Sequence, residues 1–415
     1  MRRRSLPALT LALSFAAALS FAVYSCAVNP VTGRTELALQ SFTPEEESAL
    51  GAQAYGPAVQ QQGGFYRDAA LEAYVQEVGM RLAKVSHRPE LAYKYRVLNS
   101  SVPNAFALPG GFIVINRGLL VGLSNEAEMA AVLGHETGHV TARHSLAAYQ
   151  RGMAANLLLQ GIALGTGGRK TVMELSGITA SLVENGFSRD QEREADWLGI
   201  DYMVKAGYNP AGAIQLQEYF FTQLEGGKNP LMIEGLFRTH PFSKERLDNA
   251  RARIAERYPD TAKNPNFTFN ESAFQAKTAR LREVQKAYAV ADEGDKLFQA
   301  KDYDGALAKY RAAAAKEPSQ APFLAAIGRA RLAKKEYAEA EKELWKAVEL
   351  DRDLFEPHFL LGASAYDRKR YRDAIAELSR SMELMPTRQA AGALSKSYEA
   401  VGDAANAKKY AEMAQ

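Results

Sequence analysis

Glycine recurs at positions 294, 328 and 362, tyrosine at 303, 337 and 371, and alanine at 306, 340 and 374. Three residue types thus keep one phase with a period of 34 residues, and the stretches "KDYDGALAKY", "KEYAEAEKEL" and "KRYRDAIAEL" align without gaps. A period of this length corresponds to one helix–turn–helix unit. Such a unit cannot bury its apolar face alone and must stack on its neighbours. Glycine and alanine let paired helices approach, and the tyrosine is expected to fill the gap between them. A generic helical bundle would have no reason to hold three positions in phase. A fourth unit, "SYEAVGDAANAKKY", follows one residue out of register and is placed to cap the stack. After the turn-rich "YPDTAKNPNFTFN" (258–270), residues 271–415 are therefore expected to form an all-α solenoid.

The rest of the chain is long enough for a core of its own, at about 100–200 residues per domain. Its charge excludes one class of partner. The formal net charge is +3, and Arg2, Arg3 and Arg4 supply all of it, leaving 48 basic against 48 acidic residues. No general basic field is available for nucleic acid.

Residues 1–25 read as an export signal. The three arginines precede an uncharged run from Leu6 to Tyr24, and "VYSC" then brings the only cysteine, Cys26, which can form no internal disulfide. Its place after small Ser25 resembles a bacterial lipobox, which implies cleavage before Cys26 and lipidation of its thiol. Val23 and Tyr24 depart from the residues usual there. The alternatives are an uncleaved anchor, since 19 uncharged residues could span a bilayer, or an ordinary cleaved signal. Ala27 stands where aspartate implies inner-membrane retention, and so leans towards the outer membrane.

Residues 26–60 are polar and open with "AVNPVTGR", a turn-rich tether. A helix and then an extended run at "YKYRVLNS" are expected within 65–100. "NAFALPGGFIVINRGLL" (104–120) reads as a hairpin turned by Pro-Gly-Gly. Asn125 and Glu128 have capping-box spacing and should open a helix carrying His135 and His139. Ser188 and Gln191 repeat that spacing before "EREADWLGIDYMVKA", which Gly207 and Pro210 should stop. The apolar "MAANLLLQGIALGTGG" (153–168) is too short to span a bilayer, and reads as a buried helix or as a mobile cover near the site.

Three of the six histidines fall in "LGHETGHVTARH" (133–144). His135 and His139, four apart, share one helix face. They can therefore aim two imidazoles at one metal, at the roughly 2.0–2.1 Å that zinc–nitrogen bonds require. Glu136 is displaced around the helix, within reach of a water made acidic by the metal, and can act as general base. Gly134 and Gly138 leave a second face bare, so another element can approach closely. A catalytic zinc needs a third protein ligand. His144 lies on another face and is expected to be structural, satisfied by nearby backbone. The better source is "QEREAD", where Glu192 and Asp196 share a face. Glu192 would complete a His2Glu set, with Asp196 behind it accepting the free N–H of a ligand histidine. A solvated acidic face is the competing reading of the same cluster.

"HETGHVTARH", followed by "EREAD" and then "RTHPFSKERL", resembles the M48 family of zinc metallopeptidases, over residues 28–260. The C-terminal period is similar to tetratricopeptide repeats, a tail that some periplasmic members of the family carry, and other members are lipoproteins. The resemblance implies one zinc per chain held by His135, His139 and Glu192, with Glu136 as catalytic base and Asp196 supporting a ligand. It selects Glu192 over Glu194, because the family's ligand glutamate stands four residues before the aspartate. It implies that the "NAFALPGG" hairpin is the edge strand on which substrate adds, with Asn104 a candidate to hold the scissile peptide. It also brings in His240, in the "HP" segment. That residue is either a donor to the oxyanion of the attacked carbonyl or a fourth ligand that holds the enzyme latent.

The expected architecture is α+β and mostly helical. A leader (1–25) precedes a zincin-type metallopeptidase domain (26–270) and a tetratricopeptide solenoid (271–415). The expected role is a zinc endopeptidase of the bacterial envelope, facing the periplasm from a lipid anchor at Cys26. It would degrade or survey misfolded or misassembled envelope proteins, and its repeats would hold substrate or outer-membrane assembly machinery. The alternative is an assembly chaperone or scaffold whose protease site is silent.

Overall fold

The computed structural model describes residues 26–165, 186–225, 235–261 and 264–414. The leader, residues 1–25, and the Cys26 side chain lie outside the described part. The polar segment after Cys26 is built rather than loose. β1 (Cys26–Val28) and β2 (Thr35–Leu37) pair antiparallel. Asn29 holds the connection, its Oδ1 accepting from the amides of Val31 and Thr32. α1 (Pro44–Gln61) then opens on a full capping box. Thr43 Oγ1 accepts from the Glu46 amide, and the Glu46 carboxylate accepts from the Thr43 amide. The tether expectation falls short here because side-chain caps supply hydrogen bonds that polarity alone does not register.

α2 (Ala69–Lys84) leads into a three-stranded sheet of β3 (Lys94–Leu98), β4 (Ala105–Leu108) and β5 (Phe112–Asn116). The order is β3-β5-β4, with β3 parallel and β4 antiparallel to β5. Gly110 and Gly111 turn the hairpin at φ +78° and +96°, values that residues with a Cβ rarely adopt. β4 is thereby left on the outer edge of the sheet.

A short turn, α3 (Arg117–Leu120), precedes α4 (Glu126–Thr141). Asn125 Oδ1 accepts from the Glu128 amide as the spacing predicts, but the Glu128 carboxylate returns to the amide of Ser124 instead of Asn125. Every residue of α4 except His135 is buried, so the helix forms the middle of the domain. α5 (His144–Gly165) follows; residues 166–168 of the apolar stretch, and its side chains from 155 onward, lie outside the described part. α6 (Arg189–Lys205) opens on the expected Ser188–Gln191 box and ends before Gly207, which takes φ +85°. α7 (Ala211–Glu225), α8 (Leu236–Thr239) and α9 (Lys244–Arg257) complete this part.

α4 and α6 meet through small residues. A Cβ added to Gly134 would stand 3.1 Å from the Gly199 carbonyl oxygen, and one on Gly138 would stand 2.9 Å from that of Ala195. The bare face of α4 therefore admits the backbone of α6, and this contact brings the two halves of the candidate site together.

α10 (Glu271–Gln299) starts the solenoid, yet its Phe274, Leu281 and Val284 belong to the same apolar core as α2, β5 and α4. The stack continues through α11 (Tyr303–Lys316), α12 (Ala321–Ala333), α13 (Tyr337–Leu350), α14 (Phe355–Asp367), α15 (Tyr371–Leu384), α16 (Arg388–Ala400) and α17 (Ala404–Met413). Lys301, Lys335 and Lys369 turn successive hairpins at φ of 60° to 63°, in phase, and Gly402 does so in the last unit. Gly294, Gly328 and Gly362 lie against Tyr310, Leu344 and Leu378. The space above each glycine is thus filled two turns further along the partner helix than the periodic tyrosine. Tyr303 and Tyr371 open their helices half-buried, against Phe298 and Tyr366. The solenoid also folds back. Arg67 donates to both Asp351 carboxylate oxygens (3.0 and 2.7 Å), and Gln60 bonds the Asp353 carbonyl and the Phe355 amide. No helix among the described residues is long and apolar enough to cross a membrane.

Candidate metal centre

Four side chains from three elements converge. His135 and His139 stand on α4, Glu192 on the first turn of α6, and His240 at the C-terminal end of α8. One ligand atom of each lies within 4.8 Å of all the others. His135 Nε2 is 3.0 Å from His139 Nε2 and 3.3 Å from His240 Nδ1. Glu192 Oε1 is 3.0 Å from His240 Nδ1 and 3.4 Å from His139 Nε2. Four donors arranged tetrahedrally at zinc distances would be separated by about 3.3 Å. The donor set therefore has the size, atom types and burial of a first-row metal site.

The surrounding charges agree. Burial opposes charge on His135, but Glu192 and Asp196 outweigh it and raise its pKa to about 10, so the site is built to hold positive charge, from a proton or a metal. Burial also opposes the Glu192 carboxylate, yet His240, Arg246 and His135 hold its pKa well below the usual range. Burial holds His139 well below its ordinary pKa, keeping the neutral form that ligates. Glu136 Oε2 and His240 Nε2 are buried without a hydrogen-bond partner. Such orphans cost free energy unless something else occupies the site.

Glu136 stays outside the donor set, as expected. It is buried, and burial raises its pKa. Its Oε1 lies 3.5 Å from His240 Nε2. Asp196 lies 2.9 Å from His135 Nδ1. Asn104 immediately precedes the edge strand β4, its Oδ1 accepting from the Ala105 amide (3.0 Å) and from Thr239 Oγ1 (3.3 Å), next to His240, and on the same outer edge the Ala107 carbonyl accepts from Ser145 Oγ (2.9 Å). A cleft lined by Val132, Ile200, Leu216 and Phe220 opens beside His135, Glu136 and His240.

Residues 69–254 match the sequence profile described as Peptidase family M48, and residues 297–360 match one described as Tetratricopeptide repeat. This chain carries an M48 peptidase domain followed by tetratricopeptide repeats. The Mitochondrial metalloendopeptidase OMA1 of Schizosaccharomyces pombe is 34% identical over 181 residues, covering 42% of this chain and 50% of that one. The Beta-barrel assembly-enhancing protease of Escherichia coli is 28% identical over 202 residues, covering 46% and 40%. The Metalloprotease YcaL of Escherichia coli is 29% identical over 230 residues, covering 53% and 88%. The chain thus spans half or less of the first two relatives.

Two neighbours of the donor set, Arg246 and Phe187, are not among the sequence candidates, and a third, His144, is placed differently from the expectation. Arg246 donates to both oxygens of Asp196 (2.8 and 2.7 Å) and reaches Glu192 Oε2 at 2.7 Å, out of hydrogen-bond alignment. Its signal was its place in "THPFSKER", six residues after His240. Phe187 stacks on His139, with centroids 3.9 Å apart. His144 does not rest on nearby backbone, as its separate helix face led us to expect. Its ring nitrogens lie 2.9 Å from His139 Nδ1 and 3.1 Å from Glu194 Oε2. Arg143, at φ 56°, turns the chain so that His144 folds back onto α4.

Proposed function

We propose that the M48 domain is a zinc-dependent endopeptidase of the bacterial cell envelope. The observation that carries this reading is the buried set of three histidines and a glutamate, with Glu136 beside it. His135, His139 and Glu192 would hold one zinc ion, which when bound supplies Lewis acidity and lowers the pKa of water. Glu136 takes the proton of the attacking water and passes it to the leaving nitrogen. Asp196, clamped by Arg246, accepts the Nδ1–H of His135 and keeps its Nε2 turned inward. An extended substrate adds to the outer edge of β4, beginning at Asn104 and displacing the Ser145 hydroxyl from the Ala107 carbonyl. The apolar cleft next to Glu136 takes a side chain flanking the scissile bond.

His240 supports a latent resting state. Its Nδ1 sits in the donor set and its Nε2 faces Glu136. Four protein ligands leave no open position, so movement of His240 away from the set would be needed for turnover. The competing role is donation to the oxyanion. The same geometry favours the second reading, an assembly chaperone or scaffold with a silent protease site. In either case, Cys26 would carry lipid and hold the protein at the outer membrane, facing the periplasm. The repeats would engage misassembled envelope proteins or the outer-membrane assembly machinery, a reading supported by the name of one relative.

The test uses the purified full chain. It should hold about one zinc and cleave casein slowly, and His240→Ala should raise cleavage with the metal retained. A fall of about a hundredfold instead, the size of a lost oxyanion donor, would make His240 catalytic and sink the latch. Rescue of envelope integrity by Glu136→Gln in a deletion strain would favour the scaffold.

A further inference from the structure

We infer that His144, backed by Glu194, is a positioning residue for the metal centre, fixing His139 in the tautomer whose Nε2 faces the donor set. This rests on the metal-centre reading above. His144 Nδ1 and His139 Nδ1 lie 2.9 Å apart, and both rings are fully buried. Two facing ring nitrogens at that distance share one proton. Its owner follows from the far side of His144, where Nε2 lies 3.1 Å from Glu194 Oε2. A carboxylate only accepts, so His144 Nε2 is the N–H, and the Nδ1 of neutral His144 is bare. His139 Nδ1 must then be the donor, which leaves His139 Nε2 bare. That atom faces His135 Nε2 and Glu192 Oε1. The other arrangement, with both His144 nitrogens protonated, would place the His139 hydrogen on Nε2, inside the donor set, where a metal ligand cannot carry it.

The two ligand histidines are therefore supported by different means. Asp196 accepts from His135 directly, whereas Glu194 acts on His139 through an intervening imidazole. Glu194 is itself held from the N-terminal ribbon. Arg34, in the turn before β2, approaches it to 3.3 Å and donates to Asp190 at 2.7 Å. Phe187, stacked on His139, hinders rotation of the ring that the relay has set.

The experiment uses the full chain with cobalt(II) as probe metal. Wild type should bind one equivalent, and His144→Phe should raise the cobalt dissociation constant about 10–100-fold, as loss of a supporting partner does. Glu194→Leu, at a partly exposed position, should give most of that loss. Glu194→Gln keeps an acceptor oxygen and should recover part of it. A purely structural role would lower the unfolding temperature of metal-free His144→Phe and leave cobalt affinity alone. The proton NMR spectrum of cobalt-loaded wild type should show exchangeable, metal-shifted N–H signals from His135 and His139, and only the His139 signal should lose protection in His144→Phe. Equal dissociation constants in wild type and both the His144→Phe and Glu194→Leu forms, or an unchanged His139 signal, would overturn the inference alone. A wild type that takes up no cobalt would sink the metal-centre reading and this inference with it.

Discussion

The solenoid and the metal centre are built by opposite means. In the solenoid, each glycine meets the next helix in the chain, Gly328 against Leu344 and Gly362 against Leu378, so one local contact recurs down the stack. In the metal centre, the donors come from positions 135, 139, 192 and 240, and only the first two are neighbours on a helix. The solenoid tolerates a weak unit because its neighbours carry the rest. The centre has no such redundancy. Each donor atom lies 3.0–3.4 Å from another, and a shift of one helix moves two of them together.

The largest effect should come from Glu136→Gln, which removes the proposed base and keeps the donors. Cleavage should fall about 10²–10⁴-fold when the change is made in the His240→Ala form, with metal content unchanged by elemental analysis. The same residue sets a pH dependence. Glu136 must be ionised to accept a proton, and burial raises its pKa. Activity should therefore be lost, as pH falls, at a pH above the usual carboxylate range. An acid limb at or below that range would mean that the bound metal outweighs burial at Glu136 or that another group is the base.

Next in size, Glu192→Ala should weaken metal binding by more than Glu194→Ala, whose loss should stay within the roughly 10–100-fold of a missing supporting group. Comparable mild losses from both would remove Glu192 from the donor set.

A pair of glycine substitutions tests the comparison itself. A Cβ on Gly199 meets the His135 backbone nitrogen at 2.8 Å, and backbone there cannot yield without moving a ligand. Gly199→Ala should cost about 1–3 kcal/mol in chemical denaturation, as overpacking does, and loosen the metal. A Cβ on Gly328 would stand 2.5 Å from Cγ and Cδ2 of buried Leu344, a side chain and not backbone. Gly328→Ala should therefore also cost about 1–3 kcal/mol by overpacking, less the roughly 0.8–1.0 kcal/mol gained in helix propensity, with metal affinity untouched. Equal losses of metal affinity at both sites would erase the distinction between the two regions.

The smallest effect is expected where the regions touch. Arg67 spans to Asp351 and is half exposed, so Arg67→Ala should cost no more than about 1 kcal/mol. A larger loss in thermal unfolding would show that this ion pair, and not only the apolar core shared at α10, joins the solenoid to the peptidase domain.

The legible parts of this molecule are those whose physics is local in sequence. The 34-residue phase, the Ser188–Gln191 box, the Pro-Gly-Gly hairpin and the i, i+4 pair of His135 and His139 each draw on residues within a few turns of one another. The misreadings fall elsewhere. The segment after Cys26 was read as a tether, yet Asn29 and Thr43 order it, and Asn29 Nδ2 reaches the Ala142 carbonyl at 2.7 Å. His144 was assigned to backbone because its helix face differs from that of His139, but a single left-handed residue, Arg143, brings the two rings together. Arg246 lay in a stretch already singled out, and nothing in its own sequence neighbourhood pairs it with Asp196, fifty residues away.

Sequence alone determined the repeat architecture, the HETGH helix as a candidate metal site and the family in which such a helix occurs. These follow from residue identity and spacing along one helix or one hairpin. Tertiary structure decided that His144 and Glu194 stand behind His139, that Arg246 clamps Asp196, and that His240 enters the donor set. The placing of Glu192, Glu194 and Asp196 beside the histidines depends on how closely α4 and α6 approach. The approach is set by backbone meeting backbone at Gly134, Gly138 and Gly199, where the free energy lies in contacts between residues about sixty positions apart.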